Sequence, residues 1–268
     1  MAKLFVVATP IGNLSDITSR ALQTLNEADI IACEDTRVTL KLCSHFNISK
    51  TLISCHEHNE FNVYSHIIDL IMDGKKVALV SDAGYPGISD PGSILIKNCI
   101  NKGIDIEVIP GPCAIINALV GSGLDTTHFY FHGFLPSKSS DRKKEILQLK
   151  DKPETMVFYE SPHRINDTLV ELLALLGNRY ACVCRELTKK HEQYIRGYLE
   201  DLVNLEYKGE IVIVLEGKQK EEVVVTSIEI IAKVNEFISL GFSKKDAIKE
   251  AADTLNIGKN EVYRIYHS

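Results

Sequence analysis

The stretch "VALVSDAGYPGISDPG", residues 77–92, decides how the chain is read. A short apolar run with no room for a helical period breaks into a segment carrying two aspartates, three glycines and two prolines. Such a run bounded by turn residues reads as a buried strand. In open α/β sheets, ligands sit at the loops beyond the carboxyl ends of the strands. Glycines there let the backbone approach a ligand closely, and an aspartate can accept hydrogen bonds from a ribose or an amino group. The competing reading is a tight turn whose aspartate caps the next helix. Asp90, just ahead of Pro91 and a helix expected from Ser93, suits that capping role.

Working outward, the same alternation fills the first half. "LFVVAT", "DIIAC", "VALVS" and "IEVI" read as strands, and "SRALQTLNEA", "TRVTLKLCSHF" and "CAIINALV" as helices. This alternation predicts an α/β fold with a mainly parallel sheet covered on both faces. From Phe129 a second series follows: "FYFH", "TMVFYE", the helix "INDTLVELLALL", "YACVC", "QYIRG" and "EIVIVLE". Several of these strands succeed one another directly, which predicts antiparallel pairing. The tail is helical: "SIEIIAKVNEFISL" ends at Gly241, Ser243 and Asp246 have capping-box spacing, and "NIG" leads into "KNEVYRIYH". The expected domains are residues 1–124, 125–224 and 225–268.

Two further loops share the character of the first. "VVATPIGNL" leaves the first strand, and "IEVIPGPCAIINA" joins a strand through Pro110-Gly111-Pro112 to a helix whose free N–H groups would point at a cleft. Three rigid loops at one sheet edge predict a nucleotide-like pocket. No G-x-x-x-x-G-K-[ST] occurs, and "GSGLDT" lacks the third glycine of a dinucleotide fingerprint. Acidic, proline-rich loops suit a cationic ligand with an adenosine body better than a polyphosphate.

Composition bounds the rest. With 268 residues, 45% hydrophobic and 25% charged, the chain has ample core for an ordinary soluble globular protein. No apolar run approaches the roughly 20 residues of a membrane span, and a cytoplasmic location with no membrane partner is expected. The seven cysteines lack repeated spacing and read as reduced thiols. Cys182 and Cys184, and the metal-like "CHEH" at residues 55–58, have no second ligand pair at zinc spacing, so no metal is expected. A net charge of −6 means that nucleic acid would have to be met by a local basic patch. "SKSSDRKK" (residues 137–144), read as a loop over the cleft, and "RELTKKHEQYIR" (residues 185–196) are the candidates, against the ordinary reading of solvated charge on a helix face.

The ordered set "TPIGNL", "CEDTR" (residues 33–37), "SDAGYPGISDPG", "PGPCA", "GFLP", "FYESPHR" (residues 158–164) and "RELTKKHE" resembles the tetrapyrrole-methylase superfamily, and within it the branch that methylates ribosomal RNA on ribose. The resemblance runs from about residue 4 to the C-terminus. It implies two α/β domains with S-adenosylmethionine in the cleft between them, a homodimer, and an added helical unit. The implied substrate is a cytidine 2′-oxygen in the decoding centre of 16S ribosomal RNA, within the small ribosomal subunit. By the same resemblance Pro10, the loop Ser81, Asp82, Ala83, Gly84 and Tyr85, then Cys113, Ala114, Tyr159 and Cys184 would hold the cofactor. Cys113 departs from the serine more usual there.

A ribose hydroxyl is a poor nucleophile, and general-base help is worth roughly 10²–10⁴-fold. Glu34, Asp35, Glu160, Glu186 and Lys190 are candidate bases, unranked. Arg37, Lys143, Lys144, Arg164 and Lys189 are candidates to hold RNA phosphates. For "EDTR" the plainer reading is a helix start with Arg37 paired to its own acids. His163 and His191 read as polar scaffold. Two other classes remain: a methyltransferase of this fold acting on a tetrapyrrole or other small acceptor, and a ligand-sensing DNA-binding protein using residues 243–266 as a helix-turn-helix.

Overall fold

The computed structural model describes residues 2–56, 60–219 and 225–268. The chain divides into two compact units, Met1–Gln219 and Lys220–Ser268. The sequence boundary at residues 224/225 and His58 of "CHEH" lie outside the described residues.

The first half runs β1 (Lys3–Val7), a 3₁₀ turn (Leu14–Asp16), α1 (Ser19–Glu27), β2 (Ile30–Cys33), α2 (Thr36–His45) and β3 (Thr51–Ser54). It continues through α3 (Glu60–Met72), β4 (Val77–Val80), α4 (Ser93–Asn101), β5 (Asp105–Ile109) and α5 (Ala114–Ser122). The strands form one sheet in the order β3-β2-β4-β1-β5, parallel throughout. Every residue of β2 and β4 is buried, as a strand covered on both faces must be. One face packs Leu4, Val6, Leu79 and Ile67 together, and the other packs Val7, Ile31, Ala78 and Leu25. The three loops singled out in the sequence leave β4, β1 and β5, which are neighbours in the sheet. Strand order therefore brings them to one edge.

The second half of this unit runs β6 (Phe129–Phe134), α6 (Ser139–Gln148), β7 (Thr155–Glu160) and α7 (Ile165–Leu176). Then come β8 (Tyr180–Arg185), β9 (Gln193–Tyr198), α8 (Leu199–Leu202) and β10 (Ile211–Leu215). The order is β6-β7-β10-β8-β9, with β6 and β7 parallel and the other pairs antiparallel. One face carries Ile146, Phe158, Leu169, Leu172 and Ile213 beneath α6 and α7. The other face is covered by the first half: Ile11, Ile115, Ala118 and Leu119 pack on Val157, Cys182, Cys184, Val212 and Val214. At Gly121 a Cβ would overlap the Tyr194 ring, so a glycine is what lets α5 lie this close to β9.

Residues 139–148 are helical rather than loop. The cause is a buried ion pair: Arg142 Nε and Nη2 donate to Glu171 Oε2 and Oε1 at 2.6 and 3.1 Å, and Ser139 adds a 2.7 Å bond to the same carboxylate. The basic stretch 185–196 is also largely committed to the fold. Arg185 Nε donates to the Lys208 carbonyl at 2.9 Å, and Arg196 Nε and Nη2 donate to the Ser122 and Gly121 carbonyls at the end of α5.

The second unit is three helices, α9 (Ser227–Ser239), α10 (Lys244–Leu255) and α11 (Lys259–His267). Ile230, Val234, Ala247, Ile248, Ala251 and Val262 form its core. Thr226 and Ser243 cap α9 and α10, and Asn256 in the left-handed region closes α10.

Candidate functional site

A cleft of about 380 Å³ lies between the two sheets. Its floor is made by Ala83, Gly84 and Tyr85 after β4 and by Cys113–Ile115 at the start of α5. Ile11, Leu187, Ile211, Val212, Tyr159 and Phe134 supply apolar walls from both halves. The loops are tied to one another by backbone bonds. Thr9 N–H donates to Gly84 O at 2.9 Å and Gly84 N–H returns to Thr9 O at 3.1 Å, while Gly111 N–H donates to the Tyr85 hydroxyl at 3.1 Å. Across the halves, Asn13 N–H donates to Thr188 Oγ1 at 3.1 Å. Gly84 sits at φ +76°, a conformation side chains resist, which suits its place at the turn.

The α5 N-terminus opens into this cleft with Cys113 as N-cap and no side-chain hydrogen bond to its first N–H groups. Those donors are left for a ligand. Tyr159 is half-buried, and burial pushes its phenol well above the ordinary range.

Of the residues proposed for the cofactor, Ala83, Gly84, Tyr85, Cys113, Ala114 and Tyr159 line the cleft. Pro10, Ser81 and Asp82 line an adjoining depression of about 190 Å³ with Thr9, Lys41 and Leu14. There Asp82 Oδ1 accepts from the Asp35 N–H at 3.1 Å, and burial raises the Asp82 pKa. Cys184 lies behind the wall, its thiol 3.8 Å from the Ala118 carbonyl and 3.6 Å from Cys182 Sγ.

The candidate bases differ in how committed they are. Asp35 is the N-cap of α2 and is held down to about 2 by hydrogen bonds from the Arg37 side chain and backbone. Arg37 is thus paired to Asp35 at 2.6 Å with its side chain 87% exposed, which is the helix-start reading of "EDTR". Glu160 lines the cleft but is buried and saturated: Oε1 accepts from Ser161 N–H at 2.7 Å and Arg164 Nε at 2.9 Å, and Oε2 accepts from Thr168 at 2.7 Å. Arg164 is spent on that carboxylate. Glu186 accepts from Lys189 Nζ at 2.9 Å and from Glu210 N–H at 3.0 Å, and the Lys189 hydrogen bond keeps its pKa low. Lys189 also reaches Glu210 at 3.1 Å. Lys190 is exposed, as are Lys143 and Lys144 on α6, where Lys144 approaches Asp141 at 3.5 Å. Glu34 lies near enough to Asp90 to raise its pKa.

Asp90 is where sequence and structure part. It does not cap α4: Gly92, at φ +123°, is the N-cap, and there is no side-chain cap bond. Asp90 instead lines the cleft. The loop holding it is fixed by Gly87 N–H donating to Pro91 O at 3.1 Å, with Ser89 at φ +59°. Its carboxyl is pushed up to about 7 by burial and by Glu34 and Asp82, against a hydrogen bond from Ser81. Local spacing could not reveal this, because Asp-Pro-Gly before a helix is ordinary cap punctuation.

Among the described residues lining the cleft there are three carboxylates, Asp90, Glu160 and Glu210, and no lysine, arginine or histidine. That donor set rejects a polyphosphate. Apolar walls, free N–H groups and an acid without a cation fit S-adenosylmethionine, whose adenosine, carboxylate and positive charge they match respectively. Among the described residues no helix is long and apolar enough to cross a membrane.

The chain is similar to known proteins over most of its length. The family model for Tetrapyrrole (Corrin/Porphyrin) Methylases matches residues 3–203. The chain is 46% identical to ribosomal RNA small subunit methyltransferase I of Halalkalibacterium halodurans, over 98% of this chain and 94% of that one. It is 43% identical to the protein of the same name in Bacillus subtilis, over 100% and 94%. The crystal structure of the methyltransferase CobJ superposes with a TM-score of 0.63 at 19% identity, covering 83% of this chain and 97% of that one, a likeness of fold.

Proposed function

The chain belongs to the tetrapyrrole (corrin/porphyrin) methylase family, and we propose that it uses S-adenosylmethionine to methylate the ribose 2′-oxygen of a cytidine in the decoding centre of 16S ribosomal RNA. The observation that carries the cofactor half is the cleft between the sheets, walled by carboxylates with no cationic side chain. The near full-length relatives called ribosomal RNA small subunit methyltransferase I support the RNA half.

When bound, the cofactor supplies a methyl group on a positively charged sulfur, which needs no metal to react with an oxygen nucleophile. The chain's part is positioning. Apolar walls from both halves give the cofactor surface to bury, and loops locked to each other by Thr9, Gly84 and Tyr85 fix the pocket before anything enters it. Alignment of reacting atoms within about 3–3.5 Å is the main contribution such an enzyme makes. The N–H groups at the start of α5 suit the cofactor's carboxylate, and Tyr159 and Ile211 suit its adenosine. Arg37 and the exposed lysines of α6 are among the solvent-facing cations that RNA phosphates would meet.

Incubating the purified chain with labelled cofactor and either naked 16S RNA or small subunits, then digesting to nucleosides, tests this. The expected product is 2′-O-methylcytidine. Label confined to a base, or transferred only to a small acceptor, would refute the proposal.

A further inference from the structure

The three carboxylates on the cleft wall are not equivalent. Glu160 carries Arg164 and Glu210 carries Lys189, each pair an ion pair within the protein. Asp90 has no cationic partner among the described residues. Facing it are Glu34 after β2, Ser81 and Asp82 after β4, and the neutral phenol of Tyr159 on β7. Every charged group in that set is an acid. Its loop is closed by the Gly87–Pro91 bond, Gly92 rather than Asp90 serves as the α4 cap, and within the fold the carboxyl is answered by the Ser81 hydroxyl and by no cation among the described residues. A half-buried carboxyl on a cleft wall that carries acids and apolar side chains but no cation leaves room for a positive charge supplied by the ligand.

Resting on the proposed function, we infer that Asp90 is the residue by which the cleft distinguishes the charged cofactor from its spent form. Transfer moves the methyl carbon from sulfur to the acceptor oxygen. The C–S bonding pair stays on sulfur, which becomes a neutral thioether, and the acceptor's proton is released. The amino acid and adenosine portions are unchanged. The only electrostatic difference between the cofactor and S-adenosylhomocysteine is therefore the sulfonium charge. A carboxylate that answers that charge favours the loaded form and loosens its hold once the methyl has gone. Because Asp90 is partly protonated near neutrality in the free protein, binding of the cation also expels its proton.

Calorimetric titration of the full chain with S-adenosylmethionine and with S-adenosylhomocysteine, from about pH 5.5 to about pH 8.5, reads this directly as the ratio of the two affinities. A cation that shifts the carboxyl by one pKa unit changes the ratio about tenfold. In the wild type the ratio should rise by about that factor with pH. In Asp90→Asn it should be flat and close to the wild-type value at the acid end, with S-adenosylhomocysteine affinity changed less than about threefold. Asp90→Glu, which keeps the charge, should keep the pH-dependent ratio, and thermal melts show that each variant is folded. Equal weakening toward both ligands in Asp90→Asn would overturn the inference, since Asp90 would then hold a part common to both. An unchanged ratio would overturn it as well. A wild type that binds neither ligand would instead bring down the proposed cofactor.

Discussion

Glu160 faces the cleft, yet both of its oxygens are already bound by Ser161, Arg164 and Thr168. A carboxylate so held cannot accept a proton from a ribose without giving up a buried ion pair, and breaking such a pair costs about 3–5 kcal/mol. The expected behaviour of Glu160→Gln is a lower Tm together with turnover of the folded enzyme reduced less than about tenfold, whereas loss of a general base costs roughly 10²–10⁴-fold. Thermal melts and single-turnover methyl transfer at low temperature separate the two. That the loops after β1, β4 and β5 lie at one sheet edge was legible from strand, glycine and proline punctuation, whereas Ala83–Tyr85 and Cys113–Ala114, which line the cleft, were named through the family resemblance. Glu160 and Asp90 were not legible in their roles. What decides them is partnership: Arg164, four residues on at the start of α7, folds back onto Glu160, and among the described residues no cation arrives at Asp90.

At the scale of elements, α6 decides between two readings of one basic stretch. "SKSSDRKK" is too polar to show an amphipathic period, and it reads either as a loop over the cleft or as solvated charge on a helix face; from Ser139 the helix is what forms. Its helix is secured by Arg142 reaching Glu171, 29 residues away, with side chains only 4% and 10% exposed, and by buried Ile146. The strand β3 was missed for a related reason, since Thr51–Ser54 is a four-residue edge strand with no fully buried position. By contrast β2, β4 and β10 announced themselves as unbroken apolar runs buried at every residue. The helical state of α6 sharpens what its cations can do: Lys143 and Lys144 project from a fixed helix rather than a loop. Replacing both with Gln should lower RNA affinity and flatten its dependence on salt by about one to two released counterions, with cofactor affinity unchanged. Filter binding across a salt series checks this, and an unaltered slope would assign RNA contact elsewhere.

At the scale of the molecule, the two halves of the first unit are joined through their cores. Ile115, Ala118 and Leu119 of α5 lie on Val157, Val212 and Val214 of the second sheet, directly behind the cleft. This makes the site a product of two sheets rather than a loop feature of one, and it explains why a cleft between the halves was expected only through the family resemblance and not from any spacing in the sequence. The parallel first sheet and largely antiparallel second sheet were both legible, from the spacing of apolar runs and the lack of crossover helices between the later ones. The central claim is that this fold marks ribosomal RNA on ribose. Its most direct test is nucleotide-resolution mapping of ribose methylation in 16S ribosomal RNA from a strain lacking the gene, with and without the wild-type chain restored. The account requires one 2′-O-methylcytidine in the decoding centre to vanish and return with the protein; a 16S ribose-methylation pattern indifferent to its presence would contradict it.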